Sequence, residues 1–188
     1  MKVLCLNRND LPNEVGIIHI EELPSNHYWF DRTIVDGKEP KYFDVGKQFP
    51  QLLPYIIVKC GDKYLSYYRK GKEDRLLGKR SIGFGGHIEP EDIENCLDVI
   101  KPACRELQEE LGLSIKPVNL NKLIVSKYDN VSKVHIGLLM MVELDNPDMI
   151  KPDKNEIINP EWLSIDSIRA NLDQFESWSK LVAKYLDK

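Results

Sequence analysis

The sequence predicts an α/β fold, and three observations carry that prediction. Two pairs of β-like runs flank a glycine-rich segment; one apolar stripe at three- and four-residue steps spans residues 93 to 111; a second amphipathic stretch runs from 164 to 186. The chain has 188 residues, a little above the ~100–150-residue mode for domains, so one compact domain with extra elements is expected. At 42% hydrophobic and 30% charged, the composition excludes collagen, coiled coil and wholesale disorder. Lys plus Arg number 26 against 30 Asp plus Glu, a net charge of -4, which argues against a broad surface for extended nucleic acid.

The first fifty residues read as an extension packed on a main body that runs from 51 to 188. Val3 to Leu6 and Val15 to Ile20 are short β-like runs, and Lys38 to Pro50 mixes turn formers with isolated aromatics. The strand edges of this extension are candidates for pairing across a homodimer. Tyr28-Trp29-Phe30 reads as packing of the extension or an oligomer contact, with stacking on a nucleobase as the functional alternative. From Tyr55 to Cys60 and from Lys63 to Tyr68 the pattern is a β-hairpin turning at Gly61-Asp62, because glycine tolerates the positive φ of such turns. A basic stretch follows, from Arg69 through Lys70, Lys72, Arg75 and Lys79 to Arg80.

Ser81 to Ile88 reads as a strand in which Gly83, Gly85 and Gly86 leave bare backbone for close approach by a ligand or a neighbouring segment. Ile93, Cys96, Leu97, Ile100, Cys104, Leu107 and Leu111 then form one helical stripe, with Gly112 as its C-cap. Pro102 interrupts that stripe without shifting its phase, so one kinked helix or two nearly collinear ones meeting near residue 101 are expected. Leu120 to Tyr128 and Val131 to Leu144 form a second predicted hairpin across Asp129-Asn130. A polar loop fills 145 to 160, and the last helix is predicted to break near Asn171. Cys5, Cys60, Cys96 and Cys104 lack paired metal-site spacing and read as reduced thiols, Cys96 and Cys104 on the core stripe. Trp162 and Trp178 read as core packing of the last helix. No signal-peptide pattern opens the sequence, and the longest apolar run, Ile136 to Val142, falls well short of the ~20 residues that span a bilayer. A cytoplasmic protein without a membrane partner is expected.

Glu106, Glu109 and Glu110 stand at i, i+3 and i+4, which places three carboxylates on one side of a helix. Alone, such a cluster is consistent with a merely solvated face. Like charges this close destabilise a helix unless a cation sits among them, and hard divalent ions take such oxygens.

The setting of the cluster is more specific. The segment from Arg105 to Leu113, Arg-Glu-Leu-Gln-Glu-Glu-Leu-Gly-Leu, resembles at every fixed position the second half of the Nudix box, and Gly85-Gly86-His87-Ile88-Glu89 resembles the strand end that opens it. The resemblance implies a Nudix-like α/β/α sandwich on a mixed β-sheet, here with an N-terminal β-rich extension. Within the family the glycine strand also looks like that of a bacterial subgroup described as predicted phosphoesterases. One departure stands out. The first acidic position holds Asp92, with Glu89 and Glu91 as neighbouring candidates, and Arg105 lies thirteen residues beyond it instead of eight, an insertion of five. The insertion is expected to lengthen the helix N-terminally or to form a short helix before it.

By resemblance, Glu106, Glu109, Glu110 and the Gly85 carbonyl would bind Mg2+ or Mn2+, Arg105 would hold a glutamate in place, and Glu109 would also stand near the attacking water. Glu156, in the polar loop, is the distal candidate for a base. Arg69 and Arg80 are candidate contacts for substrate phosphates, since a guanidinium matches phosphate oxygens bidentately, and Gly86 and His87 complete the expected substrate-binding set. The implied activity is hydrolysis of a diphosphate bond in a nucleoside diphosphate linked to another group. The alternatives are a nucleotide-sensing module without catalysis and an isoprenoid-diphosphate isomerase, which needs a cysteine in its pocket.

Overall fold

The structure, a computed structural model, describes residues 1–69, 78–93 and 98–186. Lys70, Lys72 and Arg75 of the basic stretch and Cys96 and Leu97 of the helical stripe lie outside them. Among the described residues the core of the fold is one mixed ten-stranded sheet whose main path runs β10 (Ile157–Ser164), β5 (Lys63–Arg69), β4 (Gln51–Cys60), β9 (His135–Leu144), β8 (Val118–Val125) and β2 (Gly16–His19). Its centre is the parallel pair β4 (Gln51–Cys60) and β9 (His135–Leu144), in register over ten residues. β5 (Lys63–Arg69) closes the first hairpin on β4 at Gly61-Asp62, as the sequence predicts. The short strands β6 (Arg80–Ser81) and β7 (Gly83–Phe84) pair with β5 and β4, and β8 (Val118–Val125) lies antiparallel to β9.

Alternation along the two central strands sorts the core into two layers, because successive side chains leave opposite faces of a strand. Leu52, Ile56 and Val58 of β4 and Leu138, Met140 and Val142 of β9 join Ala103, Leu107 and Leu111 of helix α3 (Ile100–Leu111). On the other face Tyr55, Ile57 and Leu139 meet Ile168 of α4 (Ile165–Ala170) and Trp178, Val182 and Ala183 of α5 (Ser177–Tyr185). Helices on both faces of a mixed sheet make the α/β/α sandwich expected from the sequence. The break between α4 and α5 falls at Asn171, as predicted.

Residues 1–50 pack as strands and short helices on the same sheet. β1 (Lys2–Cys5) bridges β4 and β3 (Tyr28–Asp31), while β2 (Gly16–His19) extends the sheet beyond β8. Val3, Cys5 and Val35, the last from α1 (Arg32–Val35), form a small core with Val45 of α2 (Phe43–Gln48). Tyr28 and Phe30 both lie against Phe49, with ring centroids 5.2 and 5.0 Å apart, so this aromatic trio takes the packing role.

Four expectations change. The helix starts at Ile100 and not at 93: Ile93 is extended after a 3-10 turn at Pro90–Asp92, which precedes the insertion, and residues 94–97 of the inserted stretch lie outside the described residues. Pro102 is then the third helical residue, inside the first turn, where its missing N–H has no intrahelical partner to lose. The second hairpin is looser than predicted: β8 ends at Val125 and β9 begins at His135, so Asp129-Asn130 lies within a nine-residue connection. The polar loop ends early in an unforeseen strand, β10 (Ile157–Ser164), and Trp162 packs from that strand. Gly112 does cap α3 in the left-handed conformation, φ 64°, with its N–H and that of Leu113 turned back onto the helix.

Gly83 fixes how closely β7 meets β4. A Cβ at this position would lie 2.0 Å from Cζ of the buried Tyr55 ring. Gly83→Ala is expected to destabilise the fold by ~1–3 kcal/mol, the usual cost of overpacking a filled core, and a thermal melt checks it. An unchanged melting temperature would contradict this packing.

Candidate active site

The buried side of α3 is set by Ala103, Leu107 and Leu111; Glu106 is buried beside that stripe, Glu110 half-buried and Glu109 exposed. The end of the glycine strand passes against them. A Cβ on Gly86 would fall 2.6–2.7 Å from the carboxyl atoms of Glu106, so only glycine lets that carboxylate lie against the strand. Gly85, at φ +136°, could not carry a side chain either, because its Cβ would meet the Pro54 carbonyl at 2.2 Å. The glycines therefore serve close approach by neighbouring segments of the same chain.

Arg105 organises the acidic groups. Its Nη1 donates to Glu106 Oε1 at 2.7 Å and to Glu109 Oε2 at 3.4 Å. Its Nη2 donates to the His87 carbonyl at 2.9 Å, and Nη2 and Nε together grip Asp92 at 3.1 and 3.3 Å. These partners raise the Arg105 pKa, so it is a permanent cation. Of the three acidic candidates before the insertion, Asp92 is the one paired with Arg105, and its Oδ2 also accepts the Glu89 N–H.

Burial raises the pKa of Glu106, with Arg105 pulling the other way. Burial, and next the charge of Glu106, push Glu110 up to about 8, against the pull of Arg69 and the Gly85 backbone. Glu110 Oε2 is buried and has no hydrogen-bond partner among the described residues. The expected three-carboxylate cage is not formed: among the described residues no three acidic, His or Cys groups converge as a metal-binding set. Glu109 turns outward, with its side chain 60% exposed, and Arg105 Nη1 reaches both it and Glu106.

A cleft of about 150 Å³ is lined among others by Arg32, Arg69, Gly85, Gly86, His87 and His135. Gly86 thus borders both the cleft and Glu106. Of the predicted substrate contacts, Arg69, Gly86 and His87 are brought here. Arg80 is not. Its Nη2 is tied to Glu161 at 2.9 Å, its Nε to Ser66 at 3.1 Å, and its guanidinium lies over the Tyr68 and Phe175 rings, so it is a buried packing group. His87 is held neutral, its pKa lowered to about 3 first by burial and then by Arg32 and other nearby groups. Glu156 is exposed in the turn after Asp153, whose N–H bonds the Glu110 carbonyl, and its charge reaches Glu110.

Arg32, His135 and Glu176 line the cleft without having been singled out in the sequence. Arg32 comes from the extension, His135 from the start of β9, and Glu176 from the cap of α5, so each arrives through a long-range contact. Glu176 alone had a local signal, an acidic residue directly before an amphipathic helical run.

No protein-family model matches the chain. Among curated proteins, YmaB of Bacillus subtilis strain 168 is 32% identical over 150 residues, covering 74% of this chain and 72% of that protein. The crystal structure of Tm1382, provisionally assigned as a Nudix hydrolase, superposes with a TM-score of 0.76 at 20% identity over 99% of this chain and 98% of that one. A bifunctional NMN adenylyltransferase/ADP ribose pyrophosphatase from Francisella tularensis, solved with AMP and a manganese ion, matches at TM-score 0.54 and 17% identity over 79% of this chain and 46% of that one. The fold is shared with the Tm1382 structure over nearly the full chain, and the sequence relationship to YmaB spans most of both proteins: the chain has a Nudix-hydrolase fold and belongs to the family of YmaB.

Proposed function

We propose that this chain is a hydrolase of diphosphate bonds, acting with Mg2+ or Mn2+ on a nucleoside diphosphate linked to another group. The observation that carries the reading is Glu110 Oε2, buried without a partner beside Glu106, with both carboxyls pushed toward neutrality by burial. Two crowded carboxylates with an unsatisfied oxygen fit a hard divalent cation, which prefers oxygen donors. Glu106 and Glu110 would hold it, with Glu109 and the Gly85 carbonyl as further donors. When bound, such an ion neutralises phosphate charge and makes a hydroxide-like water available at neutral pH.

The remaining roles belong to the chain's own side chains. Arg105 positions Glu106 and, through Asp92 and the His87 carbonyl, ties the helix to the end of the glycine strand. Arg69, half-buried and in the fields of Tyr67, Glu176 and Glu110, lines the cleft and would contact a phosphate oxygen there. Glu156 is exposed and within electrostatic reach of Glu110, which fits a base acting on water. The ADP ribose pyrophosphatase activity named for the Francisella protein, and its manganese ion, support the same class of chemistry. The free thiols Cys5, Cys60 and Cys104 fit a reducing cytoplasmic setting, and no helix of the described residues is long and apolar enough to cross a membrane.

Purified protein screened against nucleotide sugars, ADP-ribose, NADH, dinucleoside polyphosphates and nucleoside triphosphates is expected to release a phosphorylated product from at least one of them with Mg2+ or Mn2+, and none in EDTA. Saturable nucleotide binding without turnover would replace this reading with the sensing module. An isomerase is disfavoured by the cleft itself, since no cysteine among the described residues lines it.

A further inference from the structure

We propose that Arg32, carried into the cleft by the N-terminal extension, forms with the His87–His135 pair a second anion subsite that takes a phosphate monoester. It rests on the hydrolase reading only in calling that phosphate part of the substrate.

Arg32 opens α1, and the small core around Val35 holds that segment in place, while the Arg32 N–H bonds the Met1 carbonyl at 3.0 Å. Its side chain lines the cleft and makes no hydrogen bond or ion pair with any described residue. The two carboxylates of the cleft wall do not answer it. Asp129 Oδ1 accepts the Ser132 N–H at 2.7 Å, and Glu176 is occupied by donors from Tyr55, Trp178 and Ser179. A half-buried guanidinium without a counter-charge calls for an external anion.

Arg32 and Arg69 both line this cleft; the charge of Arg32 reaches His87 and that of Arg69 reaches Glu110. In the same cleft the His87 and His135 rings meet edge-on with centroids 6.4 Å apart, and His135 Nδ1 lies 2.7 Å from the Val131 carbonyl. His87 Nε2 is buried without a partner among the described residues. A cationic fork beside an unsatisfied imidazole nitrogen matches the several oxygens of a phosphate better than a single planar carboxylate. The cleft, at about 150 Å³, is also below the ~300–1,000 Å³ of pockets that enclose larger organic ligands, and suits a phosphate group more than a nucleoside.

Inorganic phosphate titrated into the intact protein in EDTA tests this subsite without any contribution from metal-dependent chemistry. Saturable binding by calorimetry is expected, weakened ~10-fold or more in Arg32→Gln and partly restored in Arg32→Lys, as befits a charge-assisted contact. Acetate is expected not to compete. No phosphate binding by the wild type, equal binding by folded Arg32→Gln, or equal competition by acetate would each overturn the proposal. Phosphate binding lost with Arg32 in a protein that hydrolyses none of the screened diphosphates would leave the subsite standing and sink the hydrolase reading alone.

Discussion

Glu110→Gln is expected to lower metal-dependent turnover by ~100-fold or more, since even outer-shell partners of a bound metal are worth 10–100-fold, while making the metal-free protein less sensitive to alkaline pH. The two effects share one cause. The Glu110 carboxyl is pushed from 4.5 up to about 8 in the folded chain, first by burial and then by Glu106, and relaxes on unfolding. Between those values the folded state holds a proton that the unfolded state has released, so raising the pH through this window costs stability, up to ~1.4 kcal/mol per pH unit. Below 4.5 the contribution is intact; above about 8 it is gone. The amide keeps the shape and an acceptor oxygen but never ionises. In EDTA, melting temperatures from pH 5 to 9 should fall more steeply for the wild type than for the variant, and Mg2+ should raise only the wild type at the alkaline end. Equal stabilisation of both proteins by Mg2+ would remove Glu110 from the metal-binding set.

How much of this site could be read beforehand divides by sequence distance. Arg105 and the three glutamates lie on one helix, so their spacing alone put them within reach of one another. The insertion hid the register before the helix and left Glu89, Glu91 and Asp92 equally open as the first acidic position, so the Arg105 grip on Asp92 is seen only in the structure. What the spacing did not reveal is that Arg105, within hydrogen-bonding reach of both Glu106 and Glu109, leaves Glu109 facing outward while Glu106 folds against Gly86. Arg80 shows the opposite failure. It stands one residue before the glycine strand, where a phosphate contact is plausible, but its partners Glu161 and Phe175 are 81 and 95 positions away, and no local rule brings them to mind.

The fold was legible where periodicity is strong and illegible where one weak pattern met another. β4, β5 and the C-cap at Gly112 follow directly from alternation and turn chemistry. The start of α3 was masked because Ile93 keeps the helical phase while being extended, and the true start is the one that puts Pro102 into the first turn. β10 escaped because Pro160 and a register shift between Ile158 and Glu161 break its alternation, and because much of this strand at the end of the sheet path is exposed.

Glu176→Ala is expected to be the most damaging single change in stability, ~3–5 kcal/mol, because it strips a buried charge from several donors at once. Glu176 caps α5 by accepting the Trp178 and Ser179 N–H groups at 2.7 and 2.9 Å, and it also accepts Tyr55 Oη at 2.8 Å, Ser81 Oγ at 3.4 Å and Ser179 Oγ. Its own N–H bonds the Arg80 carbonyl at 3.0 Å, so one residue joins helix α5 to strands β4 and β6. Burial, with the Glu176 charge behind it, holds Tyr55 in its protonated, donating form. Tyr55→Phe removes one donor and keeps the ring on Trp178, so it should cost only ~0.5–1.5 kcal/mol. The double variant should cost less than the two single losses together, because once Glu176 is gone the tyrosine hydroxyl has already lost its carboxylate. Urea unfolding of the four proteins measures that coupling. Strict additivity would show that Glu176 acts as a helix cap alone, and that the junction between α5 and the cleft wall is held by apolar packing of Trp178, Ile57 and Val182.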